Sequence, residues 1–372
     1  MTGVRVLMAD PSAFTPPYDA ALCAALAARG AEVTLATSRF GYGEAPRPIG
    51  YTVDEGAFYR RQQGAPGSRA RLAAKLAQHV PDMLRLRARA AAVDVVHFQW
   101  LAVQPIDGLL LPRNRPIVLT AHDVLPREPR PGQLAAQRRL YRRVDAIVVH
   151  SEHGRARLSG ELGIGRERVH VIPHGAFAHL AATPAEAPLP SELRAVTPDV
   201  PVVLHFGLLR PYKGLDVLLE AWRGIEGAEL WVVGRPRMDV ARLQNSAPPG
   251  VRFVTRFVSD AETAAVFRRA ALAVLPYREI DQSGVLFTAL GFGTPLVLSD
   301  VGGFPEVAAT GAAELVAPGD PQALRATIER LLGDPEARSR LSRAARRAAS
   351  GPYSWDEAAR RHLDLYATLA RR

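Results

Sequence analysis

The chain has little cysteine, little lysine and no long apolar run, and each shortage excludes a class of protein. Its single cysteine, Cys23, excludes a disulfide framework and a cysteine-rich metal site, and it fits a reducing compartment. No stretch reaches the roughly 18 apolar residues that a membrane-spanning helix needs. The opening residues, MTGVRVLMADPSAF, hold too short an apolar run for a signal peptide. These shortages predict a cytoplasmic protein.

Several binding and catalytic motifs are also missing. No G-x-S-x-G elbow or G-x-x-x-x-G-K-[ST] loop occurs, and the first predicted strand is followed by PSAFTPPYD rather than a dinucleotide-binding glycine motif. The histidines lie on separate predicted strands without the paired spacing of a zinc site, so we expect no metal. The net charge of +10 comes from scattered arginines, without the interleaved aromatic residues of single-strand binders. We therefore expect no nucleic-acid partner.

Short apolar runs alternate with helical patterns, which predicts parallel sheets covered by helices. The first series of predicted strands is Val4–Ala9, Val33–Thr37, Val93–Phe98, Ile117–Ala121, Ala146–His150 and Val169–Ile172. The second series is Val202–Phe206, Glu229–Val233, Val251–Phe253, Leu272–Leu275, Leu296–Ser299 and Glu314–Val316. A first helix is predicted over Tyr18–Arg29, ended by Gly30. Residues 181–200, rich in Ala and Pro, are predicted as a linker.

This pattern predicts two doubly wound, Rossmann-like domains facing each other across a cleft. We place the first domain at 1–182, the second at 183–351 and a terminal helical segment at 352–372, after the break at Gly351-Pro352. In such sheets a ligand lies at the carboxyl ends of the strands. The polar residues predicted at those ends, and therefore on the cleft floor, are Asp10, His97, His122, Asp123, Ser151, His174 and His205.

The stretch from Pro201 to Trp222 is the strongest functional signal. A strand, Val202–Phe206, leads into the loop GLLRPYKG, and a helix with apolar residues on one side follows. The loop carries Arg210 and Lys213, and Lys213 is one of only two lysines in the chain. A compact ammonium group beside a glycine-bounded turn is suited to a phosphate oxygen. The alternative is a solvated basic turn.

A second stretch, Leu275 to Asp300, is a second candidate for anion binding. Here a strand is followed by Gln282-Ser283-Gly284 and a helix from about Val285, with Ser283 predicted as its N-cap. Free backbone N–H groups in the first turn of that helix would attract an anion. After the next strand comes VGGFPEV, which contains Glu306. Two such regions in one domain suit a diphosphate better than a single phosphate.

Ordered segments along nearly the whole chain resemble the retaining glycosyltransferases of family 4, which have the GT-B fold. In the first half they are VDVVHFQW, VLTAHDV, DAIVVHSEHGRARL and VIPHG. In the second half they are FGLLRPYKGLDVLLEA, ELWVVG, VTRFVSDAETAAVF, VLPY with QSGV, GTPLVLSDVGGFPEV and YSWDEAA. The resemblance implies a GT-B architecture in which the C-terminal helix crosses back to the N-terminal domain.

The resemblance also assigns roles to residues. It implies that the donor nucleotide and diphosphate bind to Gly207, Arg210, Lys213, Gly234, Arg235, Gln282, Ser283, Gly284 and Val285. It implies that the donor sugar contacts His122, Asp281 and Glu306, and that His122, Arg210 and Lys213 carry catalysis. A strand-end histidine bonded to backbone is the alternative for His122. An acidic residue that complements a helix N-terminus is the alternative for Glu306.

The chain departs from the family at two places. The family often has two glutamates eight positions apart in this region. In this chain the position of the second glutamate is occupied by Thr288. The position of the first lies near Ile280, where Glu279 or Asp281 would replace it. A QSGV subgroup without this pair is known within the family. The loop after the first strand, often glycine-rich in the family, reads FTPPYD.

The acceptor is expected on the first domain, with Tyr18, Asp19, Gln99 and Trp100 as candidate contacts. The segment Ser68 to Ala92 mixes apolar and basic residues and could lie on an anionic membrane, although Pro81 is expected to interrupt its helix. Its basic residues include Arg69, Arg71, Lys75, Arg85, Arg87 and Arg89, and its apolar residues include Leu72, Leu76 and Leu84. A solvated basic helix face is the alternative.

Together the observations predict a retaining glycosyltransferase without a metal or other cofactor. It would move a sugar from a nucleotide-diphosphate sugar to a hydroxyl of a lipid, a saccharide or a small metabolite. One alternative is a GT-B sugar phosphate synthase or phosphorylase. Another is a non-catalytic two-domain sugar-binding protein, against which the cationic loop and the lack of a signal peptide argue.

Overall fold

A computed structural model describes residues 3–41, 45–61, 68–101, 103–126, 131–183, 187–194 and 199–371. The backbone divides into two compact units. The first comprises Met1–Gly175 with Trp355–Arg372, and the second comprises Ala176–Ser354. The sequence placed the domain boundaries at 182 and 351. Within the predicted linker, 181–200, residues 184–186 and 195–198 lie outside the described residues.

The first unit is built on a seven-stranded parallel sheet with the order β3-β2-β1-β4-β5-β6-β7. Its strands are β1 Arg5–Asp10, β2 Glu32–Thr37, β3 Thr52–Asp54, β4 Val95–Phe98, β5 Ile117–Thr120, β6 Ala146–Val149 and β7 Val169–Val171. Its helices before residue 175 are α1 Pro16–Ala28, α2 Arg69–Arg89, α3 Gln104–Leu110, α4 Gln133–Tyr141 and α5 Glu152–Leu162. All six strands predicted here are confirmed, and the sequence analysis missed β3.

The second unit has a six-stranded parallel sheet with the order β10-β9-β8-β11-β12-β13. Its strands are β8 Val202–Phe206, β9 Glu229–Val233, β10 Val251–Val254, β11 Ala270–Leu275, β12 Leu296–Ser299 and β13 Ala313–Val316. Its helices are α6 Ala178–Ala181, α7 Leu215–Ala221, α8 Ala241–Asn245, α9 Asp260–Arg269, α10 Gly284–Phe292, α11 Phe304–Ala308, α12 Pro321–Gly333 and α13 Pro335–Ser350. The predicted strands of this half are confirmed.

Both sheets reverse their winding direction beside their first strand. In the first unit β1 lies between β2 and β4, and in the second unit β8 lies between β9 and β11. The central strands are buried on both faces, as their uninterrupted apolar runs predict. Loops at the carboxyl ends of the strands around such a reversal leave room for a ligand. The fold therefore places a candidate site in each unit.

The last helix of the chain, α14 Trp355–Ala370, belongs to the first unit, as predicted. It packs against α1, and Asp356 accepts two 2.7 Å hydrogen bonds from the Arg29 guanidinium. Deeper in the unit the Tyr366 hydroxyl lies 2.6 Å from Nδ1 of His97. Nε2 of His97 lies 2.8 Å from the Thr120 hydroxyl, so this imidazole is fully buried and bonded on both sides.

The amphipathic helix α2 differs from its prediction. It runs unbroken from Arg69 to Arg89 with Pro81 inside it. Proline removes one backbone donor from a helix interior. The packing of a buried face opposes that cost, and this face comprises His79, Asp82, Met83 and Leu86. Among the residues that the structure describes, no helix, including this one, is both long and apolar enough to cross a bilayer.

Candidate functional site

The loop between β8 and α7 brings several predicted donor residues together. Gly207 has φ +101°, and a Cβ atom added to it would lie 2.9 Å from Nζ of Lys213 and 2.8 Å from Cγ2 of Val285. Gly234, with φ +152°, lies beside it: an added Cβ there would meet the carbonyl oxygen of Gly207 at 1.9 Å. Only glycine allows this close approach of two backbones. The structure thus places Gly207, Lys213, Gly234 and Val285 at one point.

Lys213 is buried at this point rather than solvated. Only 6% of the residue is exposed, and Nζ lies 5.0 Å from the centre of the Tyr277 ring. Its charge also reaches His205 in β8, whose pKa is lowered to about 3 by burial and then by Lys213. Nε2 of His205 is buried and has no hydrogen-bond partner among the described residues. A buried ammonium does not fit the alternative of a solvated basic turn.

The loop after β11 closes the other side of this site. A Cβ atom added to Gly214, whose φ is +65°, would lie 2.0 Å from the carbonyl oxygen of Pro276, so the two loops are in contact. The Tyr277 hydroxyl lies 3.5 Å from Oγ of Ser283. Ser283 occupies the predicted N-cap position of α10, but its side chain makes no capping bond. The first-turn N–H groups of α10 are therefore not satisfied by that hydroxyl.

The remaining predicted donor residues are more dispersed. Arg210 and Arg235 are exposed, and the carbonyl of Arg235 accepts a 3.0 Å bond from the amide of Leu209. The side chain of Gln282 is turned back, with Oε1 accepting from the Ser283 amide at 3.1 Å. Gly284 is exposed at the start of α10. Arg210 lies in the loop that carries Lys213, three residues before it.

The predicted sugar-binding carboxylates lie on two neighbouring loops of the second unit. Asp281 is buried in the loop after β11. Glu306 lies in the first turn of α11, and after burial its charge is a second cause of the raised pKa of Tyr353, about 12. The loops touch, because a Cβ atom on Gly302 would meet the carbonyl of Ile280. Thr288, where the family often has glutamate, is buried and donates to the Gly284 carbonyl at 3.0 Å.

In the first unit the predicted residues Tyr18, Gln99, Trp100 and His122 form one cluster. Nε2 of His122 bonds to Oε1 of Gln99 at 3.0 Å. The ring of His122 lies parallel to that of Trp100, with the ring centres 5.1 Å apart. The edge of Tyr18 meets His122 at 4.6 Å. His122 is therefore not the backbone-bonded strand-end histidine of the alternative reading.

The cluster includes three residues that the site prediction did not contain. Rings of His150, His174 and Trp355 surround Tyr18 with centre distances of 5.4, 4.9 and 5.1 Å. Nε2 of His150 lies 3.3 Å from Nδ1 of His122. His174 was already expected among the polar strand ends, and His150 ends a predicted strand, so strand-end position was the available signal for both. Trp355 lies in the YSWDEAA segment, whose resemblance implied only that the terminal helix returns to the first domain.

Two of the polar residues expected on the cleft floor are buried in the core instead. His97 lies beneath α14, and His205 lies within β8 with Nδ1 bonded to the Val274 carbonyl at 3.2 Å. Both are buried strand residues: His97 contacts α14, and His205 lies beside β11 and Lys213. Each histidine is the second-to-last residue of its strand. The sequence pattern therefore does not distinguish a buried position within the strand from an exposed position at its end.

Asp19 pairs with Asp10 inside the first unit. Asp10 accepts backbone N–H bonds from Ser12, Phe14 and Thr15, the shortest at 2.6 Å. Burial raises the pKa of both carboxyl groups, and the negative charge of Asp10 raises that of Asp19 further. Two adjacent buried carboxylates disfavour the state in which both are ionised. This pair shapes the loop that reads FTPPYD.

Known protein families match both units. Residues 20–176 match "Glycosyltransferase Family 4", and residues 200–334 match "Glycosyl transferases group 1". A D-inositol 3-phosphate glycosyltransferase of Xylanimonas cellulosilytica is 29% identical over 95% of this chain and 91% of its own. A GDP-mannose:glycolipid 4-beta-D-mannosyltransferase of Xanthomonas campestris is 28% identical over 55% of this chain and 60% of its own.

Solved structures show the same fold at lower identity. Sucrose-phosphate synthase from Thermosynechococcus elongatus has a TM-score of 0.74 and 21% identity, covering 98% of this chain and 99% of its own. Anabaena Alr3699/HepE in complex with UDP-glucose has a TM-score of 0.73 and 19% identity, covering 98% and 100%. The chain therefore has the GT-B fold, with a first part similar to family 4 glycosyltransferases and a second part similar to group 1 glycosyl transferases.

Proposed function

We propose that this chain is a retaining glycosyltransferase that uses a nucleotide-diphosphate sugar. The convergence of Lys213 with Gly207, Gly234 and Val285 carries the proposal. A buried ammonium, two glycines without side chains and the start of a helix make a small cationic recess. Such a recess suits the diphosphate of a donor and offers nothing to an uncharged sugar, which disfavours a pure sugar-binding protein.

The chemistry of this recess is stabilisation of the leaving group. When the sugar–oxygen bond breaks, negative charge develops on the diphosphate oxygen. Lys213 and Arg210 are proposed to neutralise that charge, and the free amides at the start of α10 to donate to it. We further propose that no metal is required, because these groups supply the positive charge. The acceptor hydroxyl then attacks from the face that the diphosphate leaves and passes its proton to the departing phosphate oxygen, so the anomeric configuration is retained.

His122 is proposed to position the donor sugar. Burial lowers its pKa well below the usual range, and the neighbouring histidines lower it further. A neutral imidazole held by Gln99 and stacked on Trp100 can accept or donate a hydrogen bond without adding charge. No enzyme nucleophile is required by this scheme.

Turnover of a panel of UDP-, GDP-, ADP- and dTDP-sugars tests the proposed function. Proton NMR of the product or of slow donor hydrolysis should show the same anomeric configuration as the donor, with a rate unaffected by EDTA. An inverted product would overturn the retaining mechanism. Absence of turnover and of nucleotide release with every donor would favour the sugar-binding alternative.

We also propose that the outer face of α2 contacts an anionic lipid bilayer. Four apolar side chains four residues apart are exposed along it, namely Leu72, Leu76, Val80 and Leu84. Arginines flank this stripe, including Arg69 and Arg87, and the charge complements anionic headgroups. A bilayer acceptor such as a lipid would then be within reach of the enzyme.

Co-sedimentation with phosphatidylcholine vesicles, with and without phosphatidylglycerol, measures this contact. We expect Leu76→Glu to weaken binding to the anionic vesicles about tenfold or more, since it removes an exposed leucine proposed to insert into the bilayer and adds a negative charge. Leu134→Glu, at another exposed leucine, is the matched control and should leave binding unchanged. Equal binding of both variants and the wild type would refute the assignment of this face.

A further inference from the structure

Lys75, the other lysine of the chain, occupies an unusual position on the inner side of α2. Its Nζ lies 4.8 Å from the centre of the Tyr59 ring, over the face of the aromatic system. The side chain is half-buried, and its pKa is lowered by burial and by the charge of Arg71. No carboxylate among the described residues forms an ion pair with it. An ammonium group kept partly out of water without such a partner has the character of a ligand-binding cation.

The aromatic platform under Lys75 is held by a chain of buried hydrogen bonds. The Tyr59 hydroxyl lies 2.8 Å from Nδ1 of His79, and Nε2 of His79 lies 2.5 Å from Oδ1 of Asp107. The backbone amide of Tyr59 donates to the buried carboxylate of Asp82 at 2.7 Å. Tyr59 has φ +50°, a conformation that is costly for a bulky residue. So many constraints on one ring indicate that its position matters.

The neighbours of Lys75 come from the carboxyl edge of the first sheet. The Tyr59 hydroxyl also interacts with the side chain of Ser12, two residues after β1. Arg71, one turn before Lys75 on α2, reaches toward Gly41 in the loop after β2, where an added Cβ would lie 3.4 Å from Nη2. The nearest negative group that acts on Lys75 is Asp10, which is already engaged by three backbone amides and by Asp19.

We propose that Lys75, seated on Tyr59 and assisted by Arg71 and Ser12, is a subsite for a phosphate group of the acceptor. The inference rests on the proposed transferase function and narrows its acceptor to a phosphate-bearing molecule. An ammonium, a guanidinium and a hydroxyl supply charge and hydrogen-bond donors to phosphate oxygens. The Tyr59–His79–Asp107 chain positions the ring and does not contact the ligand. A soluble phosphate ester and a lipid phosphate share the required chemistry.

Because the chain has only two lysines, Lys75 can be observed individually. Reductive methylation with isotope-labelled formaldehyde keeps the charge and gives one NMR signal per modified amine, and Lys75→Arg identifies the signal of Lys75. The probes are glycerol 3-phosphate, monomeric dihexanoylphosphatidylglycerol, and sodium chloride at equal ionic strength. We expect a saturable shift of the Lys75 signal with a phosphate probe and none with chloride.

The probes separate the two sources of phosphate. A response to glycerol 3-phosphate assigns a soluble acceptor, and a response to the short-chain lipid alone assigns a headgroup. In calorimetry, Lys75→Met should weaken the affinity for the responding probe at least tenfold. Arg113→Met, at an exposed arginine of the same unit, should leave that affinity unchanged. A Lys75 signal that moves with neither phosphate probe beyond chloride overturns the proposal. Nucleoside diphosphate binding, measured separately, reports on the proposed function itself.

Discussion

Lys213→Met is expected to lower kcat/KM for the nucleotide sugar about a hundredfold or more, with little change in folding. Loss of one preorganised group that stabilises transition-state charge typically costs this much. The ammonium is held in a buried position by Tyr277 and by the close backbones of Gly207 and Gly234. Methionine keeps the length of the side chain and can pack on the same ring. The loss should therefore appear in catalysis.

The control is Arg343→Met, which removes an exposed charge of the same unit on α13, outside the loops that converge at Lys213. It should retain wild-type kcat/KM, which shows that overall charge is not the cause. Thermal unfolding of both variants checks that the fold is intact. If Lys213→Met were folded and fully active, the leaving group would not bind where we place it.

Acid should destabilise the first unit much more than the second. Burial lowers the pKa of seven histidines below their usual value, and these are His97, His122, His150, His174, His179, His205 and His362. Five belong to the first unit, and His179 and His205 belong to the second. For His150 and His362 the pKa is lowered to about 4.

The sign follows from proton binding. Free histidine titrates at pH ~6.5. Between this pH and pH ~4, the histidines of the unfolded chain bind protons, whereas the buried native imidazoles stay neutral. The free energy of unfolding therefore falls as the pH falls. Each such histidine contributes about 1.4 kcal/mol per pH unit in this window. The raised pKa of Asp10 and of Asp19 acts in the opposite direction. Five histidines against this pair leave a net loss of stability in the first unit as the pH falls.

Hydrogen-exchange mass spectrometry at pH values from 7.5 to about 5, corrected for intrinsic exchange rates, resolves the two units. We expect protection to fall first in β1, β4 and β6, while β8 and β11 stay protected. His150→Asn preserves a donor toward the Ile172 carbonyl and removes one titrating group, so it should reduce the pH dependence. His153→Asn, at a partly exposed site, should leave the pH dependence of protection unchanged. Equal loss in both units would contradict the assignment of these buried imidazoles.

Most of the fold could be predicted from sequence because buried parallel strands are continuous apolar runs. The strand β3 was missed because Thr52–Asp54 is too short and too polar to make such a run. Pro81 was expected to break α2, but the loss of one backbone bond is smaller than the gain from packing His79, Met83 and Leu86. Local rules fail where tertiary packing outweighs them.

The site was predictable to the extent that it depends on local chain features. Lys213 could be identified because lysine is scarce in this chain. The turn positions around it, Gly207 and Gly214, have backbone conformations that favour glycine. The cluster around Tyr18 and the chain Tyr59–His79–Asp107 join residues from distant segments. No spacing rule connects such residues, because only the winding of the sheet brings them together.

The central claim is that the loop around Lys213 binds the diphosphate of a nucleotide. Calorimetric titration of UDP, GDP, ADP and dTDP into the wild type and into Lys213→Ala tests it most directly. We predict that one nucleotide binds with a Kd of about a micromolar, and that the variant loses on the order of 1.5 kcal/mol or more, as expected for a charged hydrogen bond. If none of the four binds, or if one binds equally to both proteins, the diphosphate site is wrongly placed.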